Sequence, residues 1–493
     1  MKLFELIKSD EYTFDKNTEN VEIDNVTTAL NKIGSSTLFV LIKSISFDVN
    51  GIINCVLNRK PAAIICDFDI LFDAGSIPVL RCESARKALP HIYTAYYGIN
   101  YEKMRFCAVT GTNGKTTTAT MLSHILTHSG FRVGFIGTGK ITINNKAITD
   151  KMYSMTTPDP ELLYYAIKQM ENAGCEYVVM EVSSHALYFE KVCPIPFEIS
   201  IFTNLSSEHM DLHRNMESYF KTKMKLFCST KVGIFNMDDE YSKRACEESV
   251  CQKITTGIIY DADAVATDVK INGLSGSEYI YKEKNRLFKV KLSLAGGFNI
   301  YNSMMATAAA ICLGVKPHEA KEALANLELI EGRLEIIRDD VTVIIDYAHT
   351  EEAFINLLKT IKIAKNIEQN IITVFGCGGN RDSSKRPKMA RAAEKYSDFV
   401  IVTTDNSRDE SESKIIKDIL SGFNSEECRK VITSRAAAIE YAILTAKRGD
   451  IITVIGKGHE RYNIDKNGYS DFDERNIIKI ALEKRKQNYE NNT

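Results

Sequence analysis

The residues most able to do chemistry lie in the stretch TGTNGKTTT, Thr110–Thr118, which sets a lysine and a run of hydroxyls beside two glycines. Gly111 and Gly114 free the backbone between them, with Thr112 and Asn113, to turn its N–H groups inward around phosphate oxygens. A following helix adds the partial positive charge of its N-terminus. Lys115 would then reach the β- and γ-phosphates, and Thr116, followed by Thr117, would place a hydroxyl on Mg²⁺. In the usual GxxxxGK[ST] spacing the first glycine would fall at Val109, so a compact GxxGKT remains. The plain alternative is a glycine turn that caps a helix.

Three further segments carry groups of the right kind. YVVMEVSSHAL ends an apolar run on Glu181, and a carboxylate at the C-terminal end of a parallel strand points to the ligand crevice. FTNLSSEHMDLH offers His209, Asp211 and His213, each of which reads equally well as a solvated loop residue. In MESYFKTKMKLF, helical spacing puts Met216, Tyr219, Phe220, Lys223 and Phe227 on one stripe, with Lys221 and Lys225 elsewhere. Lys223 therefore faces inward, where an ammonium is costly unless paired or chemically changed; a snorkelling lysine is the alternative. Finally, TDNSRDE (Thr404–Glu410) follows the run DFVIVT and precedes the helical SKIIKDIL, and reads locally as a polar turn.

The elements that must position these groups belong to an α/β protein. RFCAVT, EYVVMEV, EISIFTN and KVGIFNM are short buried strands. TTTATMLSHILTHSG is a helix ended by Gly130, SGSEYIYKEKNRLFKVKLSL a hairpin, and GGFNIYNSMMATAAAICLG another helix. A second series after EGRLEII has the strands VTVIID, IITVFG, DFVIVTT and IITVIG, each followed by a helical pattern. A chain of 493 residues is too long for one core, so two to four domains are expected, and the pattern of elements puts boundaries near 103 and 333, giving 1–103, 104–333 and 334–493. Net charge is −2 with acids and bases interspersed, which argues against a nucleic-acid partner or an anionic membrane surface. The twelve cysteines show no CxxC pair, as expected of a reducing cytoplasm. No apolar run approaches the roughly 18 residues that span a bilayer, and the N-terminus is too charged for a signal peptide.

In order along the chain, TGTNGKTTT, TTPDPELL, EVSSHAL, FTNLSSEHMDLH, YFKTKMKLF, FNIYNSMMA, EGRLE, DYAHT, GCGGNRDSSKRPKMA, DNSR and GKGHE resemble the Mur ligase family, closest to its MurE type. The resemblance runs over residues 80–480. It implies a three-domain α/β architecture: a small N-terminal domain for a UDP-sugar acceptor, a central P-loop ATPase-like domain and a C-terminal Rossmann-like domain. It further implies an ATP-dependent amide ligase that joins meso-diaminopimelate to UDP-N-acetylmuramoyl-L-alanyl-D-glutamate through an acyl phosphate, in peptidoglycan precursor synthesis. A monomer is expected. By the same resemblance Thr116 and Glu181 are ligands of one Mg²⁺, and His209 and a carbamylated Lys223 of a second. Asn302, Arg333, Asp346 and His349 lie on the nucleotide side, and Thr156, Thr157, Ser184 and Lys191 at the acceptor. Arg381, Asp405, Asn406, Arg408, Gly456 and Glu460 lie at the amino acid, whose distal amino-carboxylate Asn406 and Arg408 would grip.

The sequence also departs from the family. DNSR has Ser407 where the family's diaminopimelate motif has proline. The N-terminal DSR-like triplet falls at Ala29-Leu30-Asn31, the PG pair at Ser35-Ser36, and the DGH-type loop is reduced to FDVNG. Phe189 and Lys191 stand for Gln and Arg, and Glu351-Glu352 for Pro-Asp. Either the nucleotide sugar is held by other contacts, or the chain is a paralogue that joins an amino acid to a different carboxylate acceptor.

Overall fold

The computed structural model describes residues 1–7, 11–14, 21–43, 49–69, 73–148, 155–327 and 329–490. Within them lie three sheets in sequence order. The first has five strands in the order Tyr12–Phe14, Val79–Cys82, Ala63–Cys66, Thr37–Val40, Asn25–Thr27, all parallel except the Tyr12–Phe14 edge. The second has eleven strands. Arg105–Thr110 lies at its middle, between Tyr177–Glu181 and Phe197–Phe202 and parallel to both. The expected hairpin, Ser277–Glu283 with Arg286–Leu292, closes one edge of it. The third has six strands, with Thr342–Asp346, Ile451–Ile455 and Ile371–Phe375 parallel at its centre.

Burial explains why RFCAVT is a central strand. Phe106 and Ala108 enter one apolar layer, Cys107 and Val109 the opposite one, and all four are fully buried. A strand covered on both faces needs unbroken apolar sequence, and its two-residue period sends alternate side chains to opposite cores. The helix Lys115–His128 begins at Gly114 (φ 84°), and Gly130 (φ 90°) lies two residues beyond its end. The helix Phe298–Cys312 runs against it.

The first two sheets share a core. Leu38, Leu80, Leu89 and Tyr93 pack in the same cluster as Phe106, Tyr164 and Met180. The third sheet is covered by two clusters that are almost entirely its own. The series differs from expectation in two ways: the edge strands Glu335–Arg338 and Arg429–Val431 join the four expected ones, and the last of those four is not followed directly by a helix. After Ile451–Ile455 the chain makes a small antiparallel hairpin, Tyr462–Asp465 with Gly468–Asp471, before the helix Glu474–Glu490. Of the reduced FDVNG loop, Phe47 and Asp48 lie outside the described residues.

Candidate active site

The C-terminal ends of the central strands open into one cavity of about 1180 Å³, lined by residues of all three sheets' domains. Its lining includes Thr28, Ala29 and Arg86 from the first sheet's part of the chain, the glycine loop from the second, and Arg381, Arg408 and Glu460 from the third.

Both loop glycines are required by geometry. Gly111 has φ 141°, and a Cβ there would stand 1.9 Å from Thr203 Oγ1. Gly114's would stand 2.5 Å from Asn302 Oδ1. The loop is gripped by the end of the neighbouring strand. Thr203 Oγ1 donates to the Asn113 carbonyl (2.7 Å), as does Asn204 Nδ2 (3.1 Å). Asn113 N donates to Asn204 Oδ1 (2.9 Å) and Thr112 N to the Asn204 carbonyl (2.9 Å). Thr203 and Asn204 were not singled out from the sequence, although they are the TN of FTNLSSEHMDLH. Asn302 lies beneath the loop, accepting from Thr118 Oγ1 (3.2 Å), and Thr117 is buried beside it. Lys115 Nζ donates to the carbonyls of Gly111 (3.1 Å) and Thr112 (2.8 Å). Burial lowers its ammonium below the usual lysine range, against the pull of Glu208 and Glu181.

Thr116 and Glu181 are brought together as expected, with Thr116 Oγ1 donating to Glu181 Oε2 at 2.9 Å. Glu181 is fully buried and also accepts from Thr138 N at 2.8 Å. His209 sits in the left-handed region (φ 58°). Burial pushes its imidazole down to about 3, so the ring is neutral and has a free nitrogen lone pair. Lys223 is 1% exposed, and its Nζ is 2.9 Å from the Gly111 carbonyl and 4.8 Å from the Tyr219 ring centre. Burial and the charge of Lys115 hold it well below the lysine range. His213 turns away from the cavity and stacks on Tyr219 (4.8 Å), its pKa lowered to about 4 by burial. Among the described residues no group of three or more His, Cys, Asp and Glu is arranged to cage a metal ion. That donor set fits Mg²⁺, which is ordinarily held by one or two carboxylates together with substrate phosphates.

The sequence reading passed over Glu208, immediately before His209. It is buried, 3.5 Å from His209 Nε2, and its Oε1 lies 2.8 Å from Nε2 of His349, which the C-terminal domain supplies. Burial alone would raise this carboxyl, but His209, His349 and Lys115 hold it well below the carboxylate range. Further contacts reach the loop from the same side. Arg333 Nη2 donates to Thr116 Oγ1 (2.9 Å) and its guanidinium covers the Tyr347 ring (4.5 Å). Thr350 Oγ1 donates to Asn113 Oδ1 (3.2 Å), and Asn113 Nδ2 to Glu352 (3.2 Å). Asp346 spends both oxygens on the backbone, accepting from Leu334 N (2.6 Å) and Ala348 N (2.7 Å), so it fastens the interdomain linker. Burial raises its carboxyl.

At the acceptor end, Thr157 Oγ1 donates to the Glu181 carbonyl (2.9 Å), and Thr156 Oγ1 is 3.3 Å from Thr138 Oγ1. Ser184 is buried, and Lys191 pairs with Asp159 at 2.7 Å. Arg86 stacks on Phe189 at 4.7 Å and lines the same wall.

At the amino-acid end, Arg408 (φ 52°) faces the cavity near Arg381, and burial and then the Arg381 charge lower its guanidinium. Asn406 lines the cavity and is itself held by the protein. Its Oδ1 accepts from Lys457 Nζ (2.8 Å) and Ile464 N (3.0 Å), and its Nδ2 donates to Glu460 (2.7 Å). Its amide thus holds Glu460 and the loop, with one N–H of Nδ2 given to Glu460 and a second beside it. Asp405 lies 4.0 Å from Lys457 and 3.9 Å from Arg435. Burial would raise it, but these cations keep it below its usual value. Gly456 (φ 125°) clears space for that carboxylate, since a Cβ would be 2.7 Å from Asp405 Oδ2. Burial and Asp405 raise Glu460. Lys457, fully buried inside GKGHE, was also missed, because a lysine beside two glycines reads as exposed.

A phosphate loop on the central sheet and a second parallel sheet facing it across one cavity define a multidomain nucleotide-dependent ligase, and the chain belongs to the Mur ligase family. The family's middle-domain model matches residues 109–310, and its glutamate ligase domain model matches residues 332–458. Within the family the chain is similar to the UDP-N-acetylmuramoyl-L-alanyl-D-glutamate--2,6-diaminopimelate ligases. It is 35% identical to ligase 1 of Clostridium acetobutylicum over 97% of this chain and 98% of the relative. It is 37% identical to the ligase of Caldanaerobacter subterraneus over 98% and 99%. A solved structure of such a ligase covers 96% of this chain and 97% of its own, with TM-score 0.65 and 26% identity. A MurF from Acinetobacter baumannii, at 17% identity and TM-score 0.65 (97% and 98% covered), shares the fold.

Proposed function

We propose that this chain is an ATP-dependent, ADP-forming ligase that adds diaminopimelate to UDP-N-acetylmuramoyl-L-alanyl-D-glutamate in peptidoglycan precursor synthesis. The observation that carries this is one cavity whose lining brings the glycine loop together with Thr156, Thr157 and Lys191 and with the Arg381–Arg408 pair. Identity of about one third to diaminopimelate ligases along nearly the whole chain supports it. We assign residues 1–103 to the acceptor, 104–333 to ATP and 334–493 to the amino acid. A cytoplasmic location belongs to the same proposal; among the described residues no helix is long and apolar enough to cross a membrane.

In the proposed reaction, the acceptor carboxylate attacks the γ-phosphorus, the bond to the β-phosphate oxygen breaks, and ADP leaves. The diaminopimelate amine then attacks the acyl carbon, loses a proton, and phosphate departs. Lys115 stands where carboxylate and triphosphate meet and offsets their repulsion. Thr116 and Glu181 would hold one Mg²⁺, and His209 and a carbamate on Lys223 a second. Bound there, Mg²⁺ supplies charge neutralisation and alignment of the phosphates. Burial disfavours the ammonium of Lys223 and so favours the free amine, whose lone pair would bond to CO₂ with release of a proton, leaving a buried anion. At the far end an arginine pair matches a distal carboxylate, which L-lysine lacks.

Phosphate release with UDP-N-acetylmuramoyl-dipeptide and ATP is the test, run with diaminopimelate and L-lysine side by side. Turnover with diaminopimelate is expected. Preference for lysine would overturn the amino-acid assignment, and silence with this acceptor would favour a paralogue using another carboxylate. Glu208→Gln is expected to lower kcat by about 10- to 100-fold, as for a carboxylate supporting a metal ligand. An ADP-release assay checks this, and unchanged kcat would remove Glu208 from the site.

A further inference from the structure

The loop that carries Arg408 is tied down by a buried ion pair that the reaction itself does not use. Arg386, on the helix Lys385–Tyr396, is fully buried and grips Glu410 with both terminal nitrogens. Nη1 donates to Oε1 at 2.9 Å and Nη2 to Oε2 at 2.7 Å. Nη1 also donates to Asp418 (2.8 Å), and Nη2 to the carbonyl of Gly378 (3.1 Å). Glu410 in turn accepts from Asn380 N (3.1 Å). One carboxylate thus joins the loop after the strand Ile371–Phe375 to the loop after Phe399–Val402.

Those two loops carry two of the guanidiniums that line the cavity. Arg381 lies on the first and Arg408 on the second, close enough for the charge of one to act on the other. The loops also touch backbone to backbone: a Cβ on Gly379 would be 1.9 Å from the Ser407 carbonyl, and one on Gly378 would be 3.0 Å from Arg408 Nη1. Arg408 Nη1 donates across the seam to the Gly379 carbonyl (3.0 Å), with its own backbone at φ 52°, a region a residue with a side chain seldom keeps unaided. Two like charges push the loops apart. A bidentate carboxylate–guanidinium pair in a desolvated setting is the contact able to hold them together.

We propose that Glu410, clamped by Arg386, is a positioning residue that sets the spacing of Arg381 and Arg408, and with it selectivity for an amino acid bearing a distal carboxylate. This rests on the diaminopimelate reading above.

The test measures kcat and the separate KM values of Glu410→Gln for diaminopimelate, ATP and acceptor. Removing the charge while keeping the shape is expected to raise KM for diaminopimelate about tenfold or more, with the other two KM values within about twofold. The preference over L-lysine should fall in step. If Glu410→Gln does not fold, Glu410→Asp keeps the charge but is one methylene shorter and draws back from the Arg386 nitrogens, and it should shift the same KM by a smaller factor. A diaminopimelate KM unchanged in whichever variant folds, or all three KM values rising together, would overturn the proposal. A wild-type chain that turns over no diaminopimelate would instead refute the reading on which it rests.

Discussion

Lys115→Ala is expected to abolish ADP release, with a loss of at least about 1,000-fold, the scale on which phosphoryl-transfer sites depend on their positioned cations. The reaction brings a carboxylate against a triphosphate, and two anions in a site of low dielectric do not approach without a cation between them. Lys115 is that cation: its ammonium already lies inside the loop, 2.8 Å from the Thr112 carbonyl and 3.1 Å from that of Gly111. Because those bonds also brace the loop, the melting temperature should be followed alongside ADP release. A folded Lys115→Ala enzyme of full activity would sink the mechanism.

Lys223→Ala is expected to lose about 100-fold or more in kcat and to recover part of it when a small carboxylate such as acetate is added. The reasoning is local. An ammonium at a site 1% exposed, beside a second lysine, is poorly tolerated, and burial and then the charge of Lys115 hold the group well below the lysine range. On the proposed carbamylation, CO₂ would resolve the conflict by placing an anion there, and an added carboxylate would supply the same anion without the tether. Full activity, or loss that no carboxylate relieves, would leave Lys223 a buried amine and no more. The shift also fixes a sign for stability. A lysine whose folded pKa is depressed withdraws stability as pH falls below its unfolded value, so without CO₂ the unmodified amine is a burden at neutral pH. Lys223→Met should therefore melt no lower than the wild type while being inactive.

The parts of the site that follow a regular period were legible in the sequence. Arg105–Thr110, the glycine loop and the helix from Lys115 lie where apolar runs and glycines put them, and Lys223 is buried because its stripe is. Glu181 ends its strand for the same reason. What stayed hidden depends on contacts between distant segments. Glu208 is one more acid in a polar loop until His349 arrives from 141 residues away. Asn406 sits in the amino-acid selecting motif, and its amide also bonds to Lys457, Ile464 and Glu460, because a hairpin that no helical or strand pattern announced folds over it. The N-terminal departures are likewise not resolved by pattern alone. Arg86 on Phe189 shows a cation on the acceptor wall, contributed by a helix that carries none of the motifs.

The bonds that join the glycine loop and Glu208 to Arg333 and to the start of the C-terminal domain have a further consequence. Thr116 accepts from Arg333, Asn113 is bridged to Thr350 and Glu352, and Glu208 meets His349. On the proposed mechanism several of these are groups that nucleotide and metal must themselves engage. Nucleotide uptake is then an exchange of partners, and its apparent affinity is the difference between new bonds and those surrendered. By linkage, weakening the interdomain contacts on the C-terminal side, at Glu352 for example, would tighten ATP binding while loosening the hinge. The stiffness of the joint and the dissociation constant of the nucleotide are thus two readings of one free energy.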